Sequence, residues 1–97
     1  MRRVIVQYKV KEERIAEHEA LIHAVFDELA KTAPPGIRYG AFRRPGGASF
    51  VHIAFIEARP NPLDAVVAFK AFVARIAERC VEPPEVTDLA EIGVYGL

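Results

Sequence analysis

The sequence predicts an α+β domain of element order βαββαβ, a four-stranded antiparallel sheet with both helices on one face. Three observations lead to it. Apolar residues alternate at period two in "VIVQYKV" and in the two runs that flank "RPGG". They recur at spacings of three and four in two longer stretches. The clusters "APPG", "ARPNP" and "EPPE" cut the chain between those stretches. Period two places successive side chains on opposite faces of a strand, and a three-to-four spacing stacks them on one face of a helix.

In the first strand, residues 4–10, Val4, Val6, Tyr8 and Val10 share one face and Ile5, Gln7 and Lys9 the other. Residues 11–32 then read as a helix whose buried arc is Ile15, His18, Ile22, Val25 and Leu29, with Glu12 and Glu13 in the first turn, where the helix dipole favours acids. Two prolines and Gly36 stop it. Residues 37–43 and 49–57 form a hairpin about "RPGG". A second helix is expected over residues 63–80, with Val66, Phe69, Val73, Ile76, Ala77 and Cys80 on its buried arc and Asp64, Arg75, Glu78 and Arg79 on the other side. "EPPE" is expected to close it, and a last strand to follow around residues 89–95. Right-handed crossovers make this order the ferredoxin-like arrangement, with first and third strands as neighbours.

Residues 1–97 read as a single domain, and at this size a monomer buries only about 60–65% of the surface its unfolded chain exposes. Thirteen basic and 13 acidic residues give zero formal charge, so no global field draws the chain to nucleic acid or an anionic membrane. The apolar residues after the two N-terminal arginines alternate with Gln7 and Lys9, unlike a signal core or a membrane span. With one cysteine, Cys80, there is no internal disulfide, which fits a cytoplasmic location. Cys80 itself reads as a small core residue. The histidines have no metal-type spacing with a carboxylate, so no metal is expected.

The third strand is apolar on both parities: Phe50, Ala54 and Ile56 on one, Val51, Ile53 and Phe55 on the other. A one-layer covering of helices protects only one of these faces. A homodimer packed sheet against sheet is therefore expected.

"VIVQYKV", "LIHAVFDELA", "GIRYGAFRRPGGASFVHIAFIE" and "FKAFVARIAERCVEPPEV", taken in order, make the chain resemble the antibiotic biosynthesis monooxygenase-like family of the dimeric α+β barrel superfamily. The resemblance implies a homodimer and, as in several members, cofactor-independent oxygenation of quinols or aromatic polyketides. It does not carry the family's site residues. A strand-three glutamate and aromatic of that family fall on Ala54 and Ile56, and "LDAVVAFKAF" lacks the helix-two histidines. The haem-degrading branch implies an asparagine, a tryptophan and a histidine, but this chain has no tryptophan and has Tyr8 at the asparagine's place.

Within the expected fold, His52 sits on the helix-facing parity of strand three, Tyr8 on the neighbouring strand, and His18 in the buried arc of helix one. The three are expected to converge in a cavity between helix one and the sheet. An imidazole can take a phenolic proton and a phenol can steady an oxyanion, so His52, His18 and Tyr8 are the candidate catalytic residues. Tyr39, Phe50, Ile56, Ile22 and Phe26 are the candidate substrate contacts. Against this stand ordinary half-buried histidines, structural tyrosines, and Arg38, Arg43 and Arg44 as solvated turn charges. His23 lies on the flank of helix one, toward solvent. A small apolar or aromatic molecule is the expected ligand. The alternative is a non-catalytic ligand-binding or assembly protein of the same fold. RNA binding by the same element order is disfavoured, because Ala48, Ile53 and Ile5 stand where stacking aromatic rings belong.

Overall fold

The computed structural model describes residues Met1–Leu97. Its strands are β1 (Arg2–Val10), β2 (Ile37–Arg43), β3 (Ser49–Ile56) and β4 (Cys80–Asp88), and its helices are α1 (Ile15–Thr32), α2 (Val67–Val73) and the single turn α3 (Ile76–Arg79). Short 3-10 turns at Glu12–Arg14 and Pro62–Ala65 lead into α1 and α2. The strands run in the order β2-β3-β1-β4, every neighbouring pair antiparallel, which is the ferredoxin-like α+β arrangement that the sequence predicts.

The alternation in β1 and β3 becomes the core. Val4, Tyr8 and Val10 are buried on the helix-facing side, and in β3 Phe50, His52, Ala54 and Ile56 are all buried while the residues between them are half-buried. Tyr8 pairs with Phe50 and Val6 with His52, so Tyr8 and His52 lie diagonally across the β1–β3 ladder on the same face. From α1, His18 and Val25 descend fully buried onto this layer. The helix ends at Ala33, which takes the left-handed conformation before Pro34 and Pro35. Gly36 follows at φ 81°, and a side chain there would come within 2.6 Å of the Ala58 Cβ.

Two expectations fail in the second half of the chain. Residues 63–80 are not one helix: Ala74 is extended, Arg75 is left-handed at φ 59°, and the chain turns once more before Cys80 opens a strand. Consequently Phe72 is buried, Val73 and Ala77 are exposed, and Arg79, expected on the solvent side, is 4% exposed. The last strand is Cys80–Asp88, and residues 89–95 form no strand. "EPPE" lies inside β4 because β4 is an edge strand with a bulge. Gln7 faces Glu85 and Lys9 faces Glu82, which leaves Pro83 and Pro84 opposite Tyr8, where no ladder N–H is required. Cys80 is buried as expected, at the start of this strand, and burial pushes its thiol pKa up.

The short α2 is held from α1. The two carboxylate oxygens of Glu28 accept from the backbone N–H groups of Val67 and Ala68 at 3.0 and 2.9 Å, meeting donors that no helical carbonyl can satisfy. Glu28→Ala should lower unfolding free energy by about 1–2 kcal/mol in chemical denaturation. An unchanged midpoint would mean that packing alone holds α2.

Candidate functional site

A cavity of about 290 Å³ opens between the sheet and the α2 segment. Its floor is Val4, Val6 and Tyr8 of β1 with His52, Ala54 and Ile56 of β3, and Leu63, Phe69 and Phe72 form its roof. Tyr39 of β2 closes one side, and Pro84 and Val86 of β4 the other. The lining is mostly apolar with a few polar groups, the general character of a small-molecule site.

Arg2 and Asn61 stand among the polar lining groups, and the others, Tyr39, His52 and Tyr8, belong to one continuous chain of hydrogen bonds. The Tyr39 hydroxyl lies 2.5 Å from His52 Nδ1, His52 Nε2 lies 2.7 Å from the Tyr8 hydroxyl, and that hydroxyl lies 2.6 Å from His18 Nε2. At the far end, Arg79 Nε donates to His18 Nδ1 at 3.1 Å. Arg79 Nη1 donates to the Ala74 carbonyl at 3.2 Å and Nη2 to the Phe72 carbonyl. These carbonyls stand at the end of α2, where helical partners run out, so the arginine caps the helix that roofs the cavity. No buried side-chain nitrogen or oxygen is left without a partner.

Aromatic packing fixes the chain's geometry. Tyr8 stacks on Phe50 with ring centroids 5.5 Å apart and planes 7° apart. Phe72 stacks on His52 at 5.4 Å, and Phe26 stacks on Tyr39 at 5.1 Å from the α1 side. Such contacts restrict ring rotation at low entropic cost.

The three candidate catalytic side chains thus do converge. Of the candidate contacts, Tyr39 and Ile56 line the cavity. Phe50, Ile22 and Phe26 do not: Phe50 packs behind Tyr8 and His18, Ile22 borders a surface hollow beside Glu19 and His23, and Phe26 backs Tyr39. The cavity also lies under α2 rather than between α1 and the sheet, because fully buried His18 and Val25 fill the centre of the α1 side and seven-residue α2 covers less of the sheet. His18 sits one hydrogen bond behind the cavity wall. Arg79 and Phe72 enter the site through the break at Ala74 and Arg75, a place with no glycine or proline to signal it, while Phe69 faces inward as its place on the expected arc implies.

Burial holds both histidines uncharged. His18 is pushed down to about 4 by desolvation and then by the Arg79 charge, and His52 to about 4 by desolvation and then by His18. Desolvation raises both tyrosine hydroxyls well above their ordinary value, so Tyr8 and Tyr39 stay protonated at neutral pH.

Unfolded histidines take up protons near pH 6.5, whereas these two resist until about 4 in the fold. Their contribution is therefore complete above about pH 6.5 and is lost as the pH falls toward 4, on the order of a few kcal/mol in total. The denaturant midpoint should hold steady from pH 8 to 7 and decline below 6.5, with a shallower decline in His52→Gln. Equal slopes in the two proteins would show that His52 does not titrate differently in the folded and unfolded chains.

No family profile matches the chain, and no curated protein does. Solved structures do. A Mycobacterium tuberculosis protein, Rv0793, is 22% identical with a TM-score of 0.74, the alignment covering 96% of each chain. A provisionally named antibiotic biosynthesis monooxygenase from Nitrosomonas europaea is 14% identical with a TM-score of 0.74, over 96% of this chain and all of that one. An antibiotic biosynthesis monooxygenase structure is 25% identical with a TM-score of 0.67, over 96% of this chain and 100% of the other. Over nearly its whole length, the chain has the ferredoxin-like α+β fold of the antibiotic biosynthesis monooxygenase structures.

Proposed function

We propose that the protein is a small monooxygenase for an aromatic, phenolic or quinol substrate held in the cavity beneath α2. The observation that carries this reading is the cavity's composition: an apolar slot floored by β1 and β3, with the Tyr39–His52–Tyr8 hydrogen bonds at its wall. The fold shared with structures named as monooxygenases points the same way.

An electron-rich ring system suits such a slot because it can supply its own electrons. A ring methylene flanked by conjugation loses a proton to solvent and becomes an enolate, whose carbon reacts with dioxygen. Forming the carbonyl and releasing water then balances as R₂CH₂ + O₂ → R₂C=O + H₂O, with all four electrons from the substrate. The enolate oxygen needs a hydrogen-bond donor in a dry site, where such a contact is stronger than in water. Both His52 nitrogens are engaged by phenols, so this chain offers the cavity a tyrosine hydroxyl rather than a free imidazole.

The reading also includes a second copy of the chain. The sheet face away from the helices carries half-buried Ile5, Val51, Ile53 and Phe55, and Phe42 beside them is 60% exposed. A like face on another copy matches this patch in chemistry and extent.

Oxygen uptake and product formation over anthrones, hydroquinones and polyphenols test the reaction. Wild type should turn over at least one of them, and Tyr39→Phe, at matched fold, should lose about a hundredfold in kcat/KM. No turnover by wild type would leave a ligand-binding or assembly protein, in keeping with Ala54 and Ile56 where the resemblance implies a glutamate and an aromatic. Light scattering after gel filtration tests the pairing: wild type should have a dimer's mass and Ile53→Glu a monomer's. A monomeric wild type would remove the second copy from the proposal.

A further inference from the structure

Arg79 is the buried group that the proposed reaction does not use. It is 4% exposed, and its polar contacts are His18 and two backbone carbonyls, with no carboxylate among them. A guanidinium has donors only and is not deprotonated in a protein. From this contact the direction of every later hydrogen bond follows. We infer that Arg79 is a positioning residue that orients the whole His18–Tyr8–His52–Tyr39 chain one way, leaving the Tyr39 hydroxyl as a hydrogen-bond donor to the cavity, which therefore selects aromatic ligands presenting a carbonyl or ionised phenolic oxygen.

His18 Nδ1 must accept from Arg79, so the proton of a neutral His18 is on Nε2 and is donated to the Tyr8 oxygen. The single Tyr8 hydrogen then goes to its other neighbour, His52 Nε2. With Nε2 accepting, a neutral His52 carries its proton on Nδ1 and donates it to the Tyr39 oxygen. The Tyr39 hydrogen has no acceptor in the protein, and Tyr39 lines the cavity. The reverse direction would require His18 to accept at both nitrogens, an imidazolate. A cationic His52 would point a second N–H at the Tyr8 oxygen and strand the Tyr8 hydrogen. The depressed basicity of both imidazoles agrees with the neutral pattern. Each histidine is thus committed to a different tautomer, Nε2–H for His18 and Nδ1–H for His52.

The ligand class rests on the reading of the cavity as the binding site; the tautomers do not, and they can be measured without turnover. Long-range ¹H–¹⁵N correlation spectra of the histidine-labelled protein at pH 7 should show His18 as Nε2–H and His52 as Nδ1–H, with exposed His23 as the internal reference. The same tautomer for both, or a cationic ring for either, would overturn the inference. Arg79→Lys, still a pure donor, should preserve the pattern, and Arg79→Met should mix the tautomers. An unmixed pattern in a folded Arg79→Met protein would assign the direction to something other than Arg79. If Arg79→Met does not fold, ligand selectivity decides. Wild type should bind 2-methyl-1,4-naphthoquinone at least tenfold more tightly than 2-methylnaphthalene, and Tyr39→Phe should erase that preference. Equal binding of the two by wild type would overturn the selectivity. Oxygen uptake with a failed tautomer pattern would sink this inference and leave the proposed reaction standing.

Discussion

A positive charge buried with no carboxylate in contact is the constraint around which the second half of this fold is arranged. Removing a guanidinium from water is costly unless its donors are met. Here each of its three nitrogens has an acceptor, His18 for one and, for the other two, the carbonyls at the end of α2, which carry the helix's negative pole. Bringing those carbonyls to Arg79 requires the chain to stop α2 at Val73, extend at Ala74 and turn through a left-handed Arg75. A left-handed non-glycine residue costs about 1–2 kcal/mol. Arg79 offsets that cost by capping the helix and by closing a polar chain that would otherwise end on an unmet imidazole nitrogen.

The break has a second effect, on space. A continuous helix would lay one long apolar arc along the sheet and fill the region between them. Interrupted, the segment presents Phe69 and Phe72 close together and then leaves the sheet, and the cavity lies under this short roof. Phe72 in that roof, and Phe26 and Phe50 behind the cavity wall, each stack on a member of the hydrogen-bonded chain. Polar groups in a low-dielectric interior interact strongly and are costly when misaligned. The stacked rings hold the polar groups in line, and the hydrogen bonds fix the ring orientations. Changes at Phe72 should therefore be felt both in the packing and in His52, since it touches both.

How much of this could be read from residues alone follows from which forces are local. The strand alternation of β1 and β3 and the three-to-four spacing of α1 report burial directly, and they place Tyr8, His18 and His52 on converging faces without knowledge of the rest. The hairpin limits were also legible, because proline and glycine at "RPGG" act within a few residues. The break at Arg75 was not, because nothing in "VARIAERC" disfavours a helix; the deciding contacts run from Arg79 back to Phe72 and across to His18 on α1. "EPPE" misled for the opposite reason. Two prolines forbid a central strand, but β4 is an edge strand and its bulge leaves both without a ladder to disrupt. Arg79 and the place of the cavity are illegible for the same reason, since both depend on where the second helix stops.

Strand β3 carries two requirements on alternate residues. His52 and its even-numbered neighbours face the cavity and core, while Val51, Ile53 and Phe55 face the open side of the sheet. A slip of one residue would turn His52 outward and expose Phe50 and Ile56 with it. Apolar pattern alone resists such a slip poorly here, because both parities of β3 are apolar and either would pack tolerably against the helices. The polar chain supplies the missing discrimination: only one register brings an imidazole between the hydroxyls of Tyr8 and Tyr39, and every other one leaves buried hydroxyls and a buried guanidinium partly unmet. The hydrogen-bonded chain is thus a register lock as well as the wall of the cavity, which is why a strand with two apolar faces can still specify which of them looks inward.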